Sequence, residues 1–170
     1  MLINNNIAFI DGQNLYQGLD WQINYNKFRV FLTDKFKIKK AYYFLGFREK
    51  ENLLYEKLQE AGFILIFNEK PQHLKSDKKG NIDVNLVFHA MRKLYESVIG
   101  EEDKFDKIVL VSGDGDFKVM VDFFKEKEKF LKVIFPNKKY ASSLYKDLTF
   151  KYLYYLNDAK EKLEHKKRGS

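Results

Sequence analysis

The sequence predicts an α/β domain built on a parallel sheet covered by helices on both faces. Two patterns and one handedness rule predict this. Apolar runs of strand length alternate with helical patterns along the chain. Those runs are apolar almost throughout, as central parallel strands buried on both sides must be. Right-handed crossovers between such strands then lead to a doubly wound sheet.

The elements follow in order. "IAFID" (7–11) reads as a buried strand ending in a turn at Gly12, and "AYYFLG" (41–46) as a second strand. Residues 48–61 carry Leu54, Leu58 and Ala61 at helical spacing, with Gly62 as a stop. "FILIF" (63–67) is a third strand, and the polar stretch 68–81, with Pro71 and Gly80, reads as a loop. A helix is expected over 83–98, where Val84, Val87, Phe88, Met91, Tyr95 and Val98 fall on one apolar stripe. "KIVLVSG" (107–113) is a fourth strand. A helix over 117–128 follows, with Phe117, Met120, Val121 and Phe124 facing in. "LKVIF" (131–135) is a fifth strand, ended by Pro136. Residues 140–148 have a helical pattern. "YLYYL" (152–156) fits a sixth strand or the start of a last helix, and 157–167 reads as a basic, exposed helix.

Bulk properties narrow the function classes. At 170 residues one domain is the default, and it is long enough to bury a core without staples. The chain has no cysteine, which excludes disulfides, a disulfide-linked partner and thiolate zinc sites, and fits a cytoplasmic home. The apolar run Ile7 to Ile10 is too short for a signal peptide or a membrane span, so no membrane partner is expected. A formal net charge of +7 biases the chain toward polyanions. Basic residues gather at Lys125, Lys127, Lys129 and Lys132, at Lys138 and Lys139, and from Lys160 to Arg168. Interleaved acids make part of this an ordinary solvated face.

The acids are the more informative feature. Functional crevices of doubly wound sheets lie at the carboxyl ends of the strands, where strand order reverses. Asp11 ends the first strand, and Asp114 and Asp116 sit just past the fourth. In the order 3-2-1-4-5 those strands are neighbours at the reversal. Asp83 opens the helix that feeds the fourth strand. Each acid alone has a plainer role: Asp11 in a turn, Asp83 at a helix N-terminus, Asp114 and Asp116 as turn and cap residues. Those roles do not explain why the acids should collect at one sheet edge. Clustered carboxylates repel unless a cation intervenes. Oxygen ligands without nitrogen suit Mg²⁺ or Mn²⁺, and such a site suits metal-assisted phosphodiester hydrolysis. There is no complete EF-hand loop, Walker signature or dinucleotide fingerprint, and His73, His89 and His165 show no zinc spacing.

Three segments carry a family resemblance. "FIDGQNLY" (9–16), "KGNIDVNLVFHAM" (79–91) and "VLVSGDGDF" (109–117) resemble, in order and spacing, the motifs of the NYN domain, a family of the PIN-like nuclease superfamily. The resemblance runs from the first strand through the fifth. It implies a three-layer α/β/α fold with a mainly parallel sheet of order 3-2-1-4-5 over residues 1–156, leaving 157–170 as a basic helix or tail. It also implies a metal-dependent ribonuclease using Mg²⁺ or Mn²⁺. By motif position Asp11, Asp83, Asp114 and Asp116 are its metal-site acids. Asn14 orients a ligand or water, and Ser112 supports the acid loop. Where the family pattern has an acid, this chain has His89, about 120° around the helix from Asp83 and roughly 9 Å along it, outside a shared ligand shell.

RNA is the expected partner, with Lys79, Lys138, Lys139, Lys166, Lys167 and Arg168 as candidate phosphate contacts. A non-catalytic RNA-binding or regulatory module on the same fold is the alternative. Oligomeric state stays open.

Overall fold

A computed structural model describes residues 4–68, 82–100 and 104–166. Six strands form one parallel sheet: β1 (Asn6–Asp11), β2 (Ile38–Gly46), β3 (Ile64–Asn68), β4 (Ile108–Val111), β5 (Phe130–Phe135) and β6 (Leu153–Tyr155). Their order is β3-β2-β1-β4-β5-β6, so β1 and β4 are neighbours where the winding reverses. The expected order is therefore found, extended by β6 at the β5 edge.

The two-residue period of each strand divides the core. Ala8 and Ile10 of β1, with Val109 and Val111 of β4, face one layer; Ile7, Phe9, Ile108 and Leu110 face the other. The first layer is α1 (Gly12–Gly18), α2 (Tyr25–Phe36), α3 (Asn52–Glu60) and α6 (Lys160–Leu163), the last of only four residues. The second is α4 (Ile82–Ile99) and α5 (Lys118–Glu126).

Several expectations change in the structure. Helix α2 has no counterpart among the elements expected from the sequence. The Asn24 side chain caps it by accepting the Lys27 N–H at 3.0 Å, and Phe28, Leu32 and Phe36 are its buried face. Tyr25 and Phe31 pack partly against the same core, so a helical apolar stripe was present in the sequence and went unread. The chain past Asp11 enters α1 directly instead of making a free turn. Residues 49–51 form a 3-10 turn ahead of α3, and the helix over 117–128 divides into a 3-10 turn (Gly115–Phe117) and α5. The pattern over 140–148 becomes short 3-10 segments, Lys138–Tyr140 and Ser143–Asp147.

Apart from Val87, the expected apolar stripe of α4 is not its buried face. Val84, Phe88, Tyr95 and Val98 are exposed, whereas Leu86 and Ala90 are buried and Val87 and Leu94 pack partly against the core. The helix offers two apolar stripes and can bury only one. Small Ala90 lies in the core cluster with the bulky Phe9, Tyr42 and Phe44 of the sheet, where a larger side chain would need more room. The segment after β6 is also anchored more than a basic exposed helix would be. Ala159 and Leu163 are buried, the Asn24 N–H donates to the Leu163 carbonyl at 2.8 Å, and Ile23 bridges Glu164. Among the described residues, no helix is long and apolar enough to cross a membrane. The loop over 68–81 lies, from residue 69, outside the described residues, as do His73, Lys79, Lys167 and Arg168.

Candidate metal centre

Asp11 stands at the carboxyl end of β1, at the reversal of strand order. It is 5% exposed, and its side chain caps α1, accepting the Asn14 N–H at 3.1 Å. Gly12 is required at this joint. A Cβ there would lie against the Tyr43 ring and 2.7 Å from the Phe44 carbonyl oxygen. The "DG" pair thus sets an acid at the strand end with the chain pressed against β2.

The loop after β4 carries the other motif acids. Ser112 is fully buried; its hydroxyl donates to Asp11 Oδ2 at 3.2 Å and accepts the Asp114 N–H at 3.1 Å. Asn14 Oδ1 accepts the Gly113 N–H at 2.7 Å, tying α1 to the same loop. Asp114 accepts the Asp116 N–H at 2.9 Å and so caps the 3-10 turn that presents Asp116. The roles of Asp114 as a cap and as a cluster member are therefore not exclusive: one oxygen holds the turn, leaving the other.

Asp83, from the first turn of α4, comes to this loop from the opposite layer. Asp83, Asp114 and Asp116 each offer a carboxylate oxygen within 4.8 Å of the others. Asp11 is not in that group. It lies deeper, and Ser112 connects it to the loop. The electrostatics match this arrangement. Burial first, then the charges of Asp11, Asp114 and Asp116, push the Asp83 carboxyl up to about 6. Asp11 is also raised, chiefly by burial and further by Asp114, with hydrogen bonds from Asn14 and Ser112 acting the other way. His89 is not in the group; its ring meets Phe44 and Phe88 edge-on at 5.5 and 5.9 Å.

Two supports carried no sequence signal. The Tyr145 hydroxyl donates to the Asp114 carbonyl at 2.6 Å, from the 3-10 segment 31 residues further on. Lys118 bridges Asp122 and Asp147 at 2.7 and 2.9 Å, fastening α5 to that segment. The Tyr145 bond and the Lys118–Asp147 bridge depend on tertiary approach, whereas Lys118–Asp122 is an i,i+4 pair within α5. Of the candidate basic residues, Lys138 and Lys139 are exposed on the turn after β5, with their ammonium groups over the Tyr155 and Tyr140 rings, and Lys166 is exposed near the end of the described chain.

The donor set suits a hard divalent cation. It is all carboxylate oxygen, it brings like charges together, and it raises the Asp83 carboxyl in the way a cation would relieve.

A three-layer α/β/α domain with acids gathered at its topological switch point is the class this geometry defines. The sequence matches the NYN domain over residues 6–156, and the chain belongs to the NYN domain family. That family has the PIN-like nuclease fold and is generally one of nucleases. Comparison with curated proteins finds no match. Among solved structures, the chain is similar to a protein of unknown function from Vibrio parahaemolyticus, with a TM-score of 0.73 at 20% identity, covering 97% of this chain and 99% of that one. That likeness concerns the fold.

Proposed function

We propose that this protein is a Mg²⁺- or Mn²⁺-dependent ribonuclease, an endonuclease of the cytoplasm, that hydrolyses RNA phosphodiester bonds at its aspartate cluster. The observation that carries the reading is the meeting of Asp83, Asp114 and Asp116 within 4.8 Å at the strand reversal, from two segments distant in sequence. Family membership supports the hydrolase class.

Asp83, Asp114 and Asp116 would hold the cation. Bound there, it would activate water and neutralise charge on the phosphate and the leaving oxygen. The chain's own contribution is to fix the carboxylates before substrate arrives. Asp11 and Ser112 brace the loop from below, Asn14 from α1, and Tyr145 from the far side. Such supporting contacts matter because a ligand free to rotate must be ordered each time the cation or substrate binds. Lys138 and Lys139, exposed after β5, would meet the RNA backbone.

The test is a pool of mixed RNA incubated with the purified protein in Mn²⁺, in Mg²⁺ and in chelator, alongside Asp114→Asn. Cleavage is expected with metal only. The variant should lose more than about a hundredfold, beyond the range typical of supporting residues. RNA binding without cleavage by the wild type would favour the non-catalytic module, and equal cleavage by the variant would remove the acids from the chemistry.

A further inference from the structure

A second feature adjoins the acid loop. Between α1 and the turn after β5 lies a cavity of about 240 Å³, lined by Asn14, Gln17, Gly113, Asn137 and Tyr140 among others. A cavity of roughly 150 Å³ accommodates benzene, so this one has room for a single nucleobase. Gly113 is shared between cavity wall and acid loop, one residue before Asp114.

The hydrogen-bonding character of the walls is defined. Asn14 Oδ1 accepts the Gly113 N–H at 2.7 Å, and Asn137 Oδ1 accepts the Lys139 N–H at 3.0 Å. A carboxamide facing an N–H must present its oxygen, so both NH₂ groups are turned away from these bonds. Neither NH₂ has a partner among the described residues, although Asn137 is only 8% exposed. Both residues line the cavity, and an NH₂ group with no partner in the protein is a donor open to a ligand. The cavity therefore presents donors and favours a ligand edge rich in acceptors. Above it the Tyr140 ring is largely exposed, with Lys139 Nζ 5.4 Å from its centre, and offers a face for stacking.

We propose that this cavity binds one nucleobase with a keto oxygen at the 4-position of a pyrimidine or the 6-position of a purine, uracil or guanine, of the RNA strand whose phosphate lies at the acid loop, with Asn14 and Asn137 donating to that oxygen. Cytosine and adenine present an amino group where these bases present a keto oxygen. The inference rests on the reading of the site as an RNA site, and it makes Asn137 a specificity-determining residue.

The test is fluorescence anisotropy in chelator, with labelled hexauridylate and hexacytidylate as probes. The wild type should bind hexauridylate about tenfold more tightly. Asn137→Asp keeps an oxygen for the Lys139 N–H and replaces the donor with an acceptor, so the ratio should fall to about one or below. The added charge cancels in that ratio because both probes carry the same phosphates. Tyr140→Ala, at an exposed ring, should weaken both probes several-fold and leave the ratio alone. Equal wild-type affinities, a ratio unchanged in Asn137→Asp, unchanged affinity in Tyr140→Ala, or no binding of either probe would each overturn the proposal. The two readings fail separately. Metal-dependent cleavage of RNA by a protein that binds both probes equally keeps the ribonuclease and removes the base cavity; discrimination in a protein that never cleaves does the reverse.

Discussion

At the scale of single residues, Ser112 shows how little separates a structural contact from a functional one. Its hydroxyl joins the Asp11 carboxylate to the Asp114 backbone. Ser112→Ala should leave the strand in place, lower metal-dependent cleavage by about 10- to 100-fold, and weaken metal affinity in parallel; cleavage at the wild-type rate would show that the loop needs no such brace. Asp83 gives a pH signature. Its folded carboxyl, near 6, lies above the ordinary value of 3.8. The metal-free folded state thus holds a proton that the unfolded chain gives up. Stability should fall as pH rises from about 4 to about 6, with the penalty complete above that window. Denaturant melts of wild type and Asp83→Asn in chelator check this, and the variant should lack that component of the slope. The acids themselves were legible because motif spacing and strand ends placed them at one edge. Asn137 was not legible, since an asparagine after Pro136 reads as any turn residue until the fold sets it beside Asn14.

At the scale of elements, the joint between β1 and α1 is the tightest point of the site. A Cβ on Gly12 would lie 2.7 Å from the Phe44 carbonyl oxygen, a backbone atom that cannot move aside alone. Gly12→Ala should therefore destabilise by about 1–3 kcal/mol as an overpacked core position. Chemical denaturation measures this, and a change under about 0.5 kcal/mol would mean that β2 yields easily. The strands were readable because burial on both faces makes them apolar throughout. The helices were less so. Helix α2 carries Phe28, Leu32 and Phe36 at helical spacing, with Tyr25 and Phe31 beside them, and was still not expected, and α4 carries two apolar stripes, of which the sequence favours the one that the structure mostly turns outward. Periodicity reports that a face exists; which face meets the sheet depends on the volumes opposite, here Phe9, Tyr42 and Phe44. The helical pattern over 140–148 was legible, but not its form as the 3-10 segment Ser143–Asp147, whose Tyr145 and Asp147 bond to distant partners.

At the scale of the whole molecule, charge and stability give readouts independent of the substrate's sequence. A chain of net charge +7 that binds single-stranded RNA through lysines should lose affinity linearly in log–log terms as salt rises. Reversing Lys138 and Lys139 together should reduce that slope by roughly 0.7 for each phosphate no longer neutralised. An unchanged slope would put the electrostatic footprint elsewhere. The doubly wound topology explains why these lysines and the acids share one end of the sheet: both follow the carboxyl ends of parallel strands, and the order β1-β4-β5 brings those ends together. The central claim is that the acids form a cation site and are more than turn and cap residues. Thermal melts of wild type and Asp114→Asn, each in chelator and in Mn²⁺ at about 100 times its dissociation constant, test it most directly. The wild type should gain about 2.7 kcal/mol from the metal, or roughly 5–10 °C for a domain of this size. Asp114→Asn should gain much less and should melt above the wild type in chelator, because one of several crowded charges is gone while the oxygen that accepts the Asp116 N–H is kept. A wild type indifferent to metal, with a variant less stable in chelator, would contradict the account and leave these aspartates as structural residues.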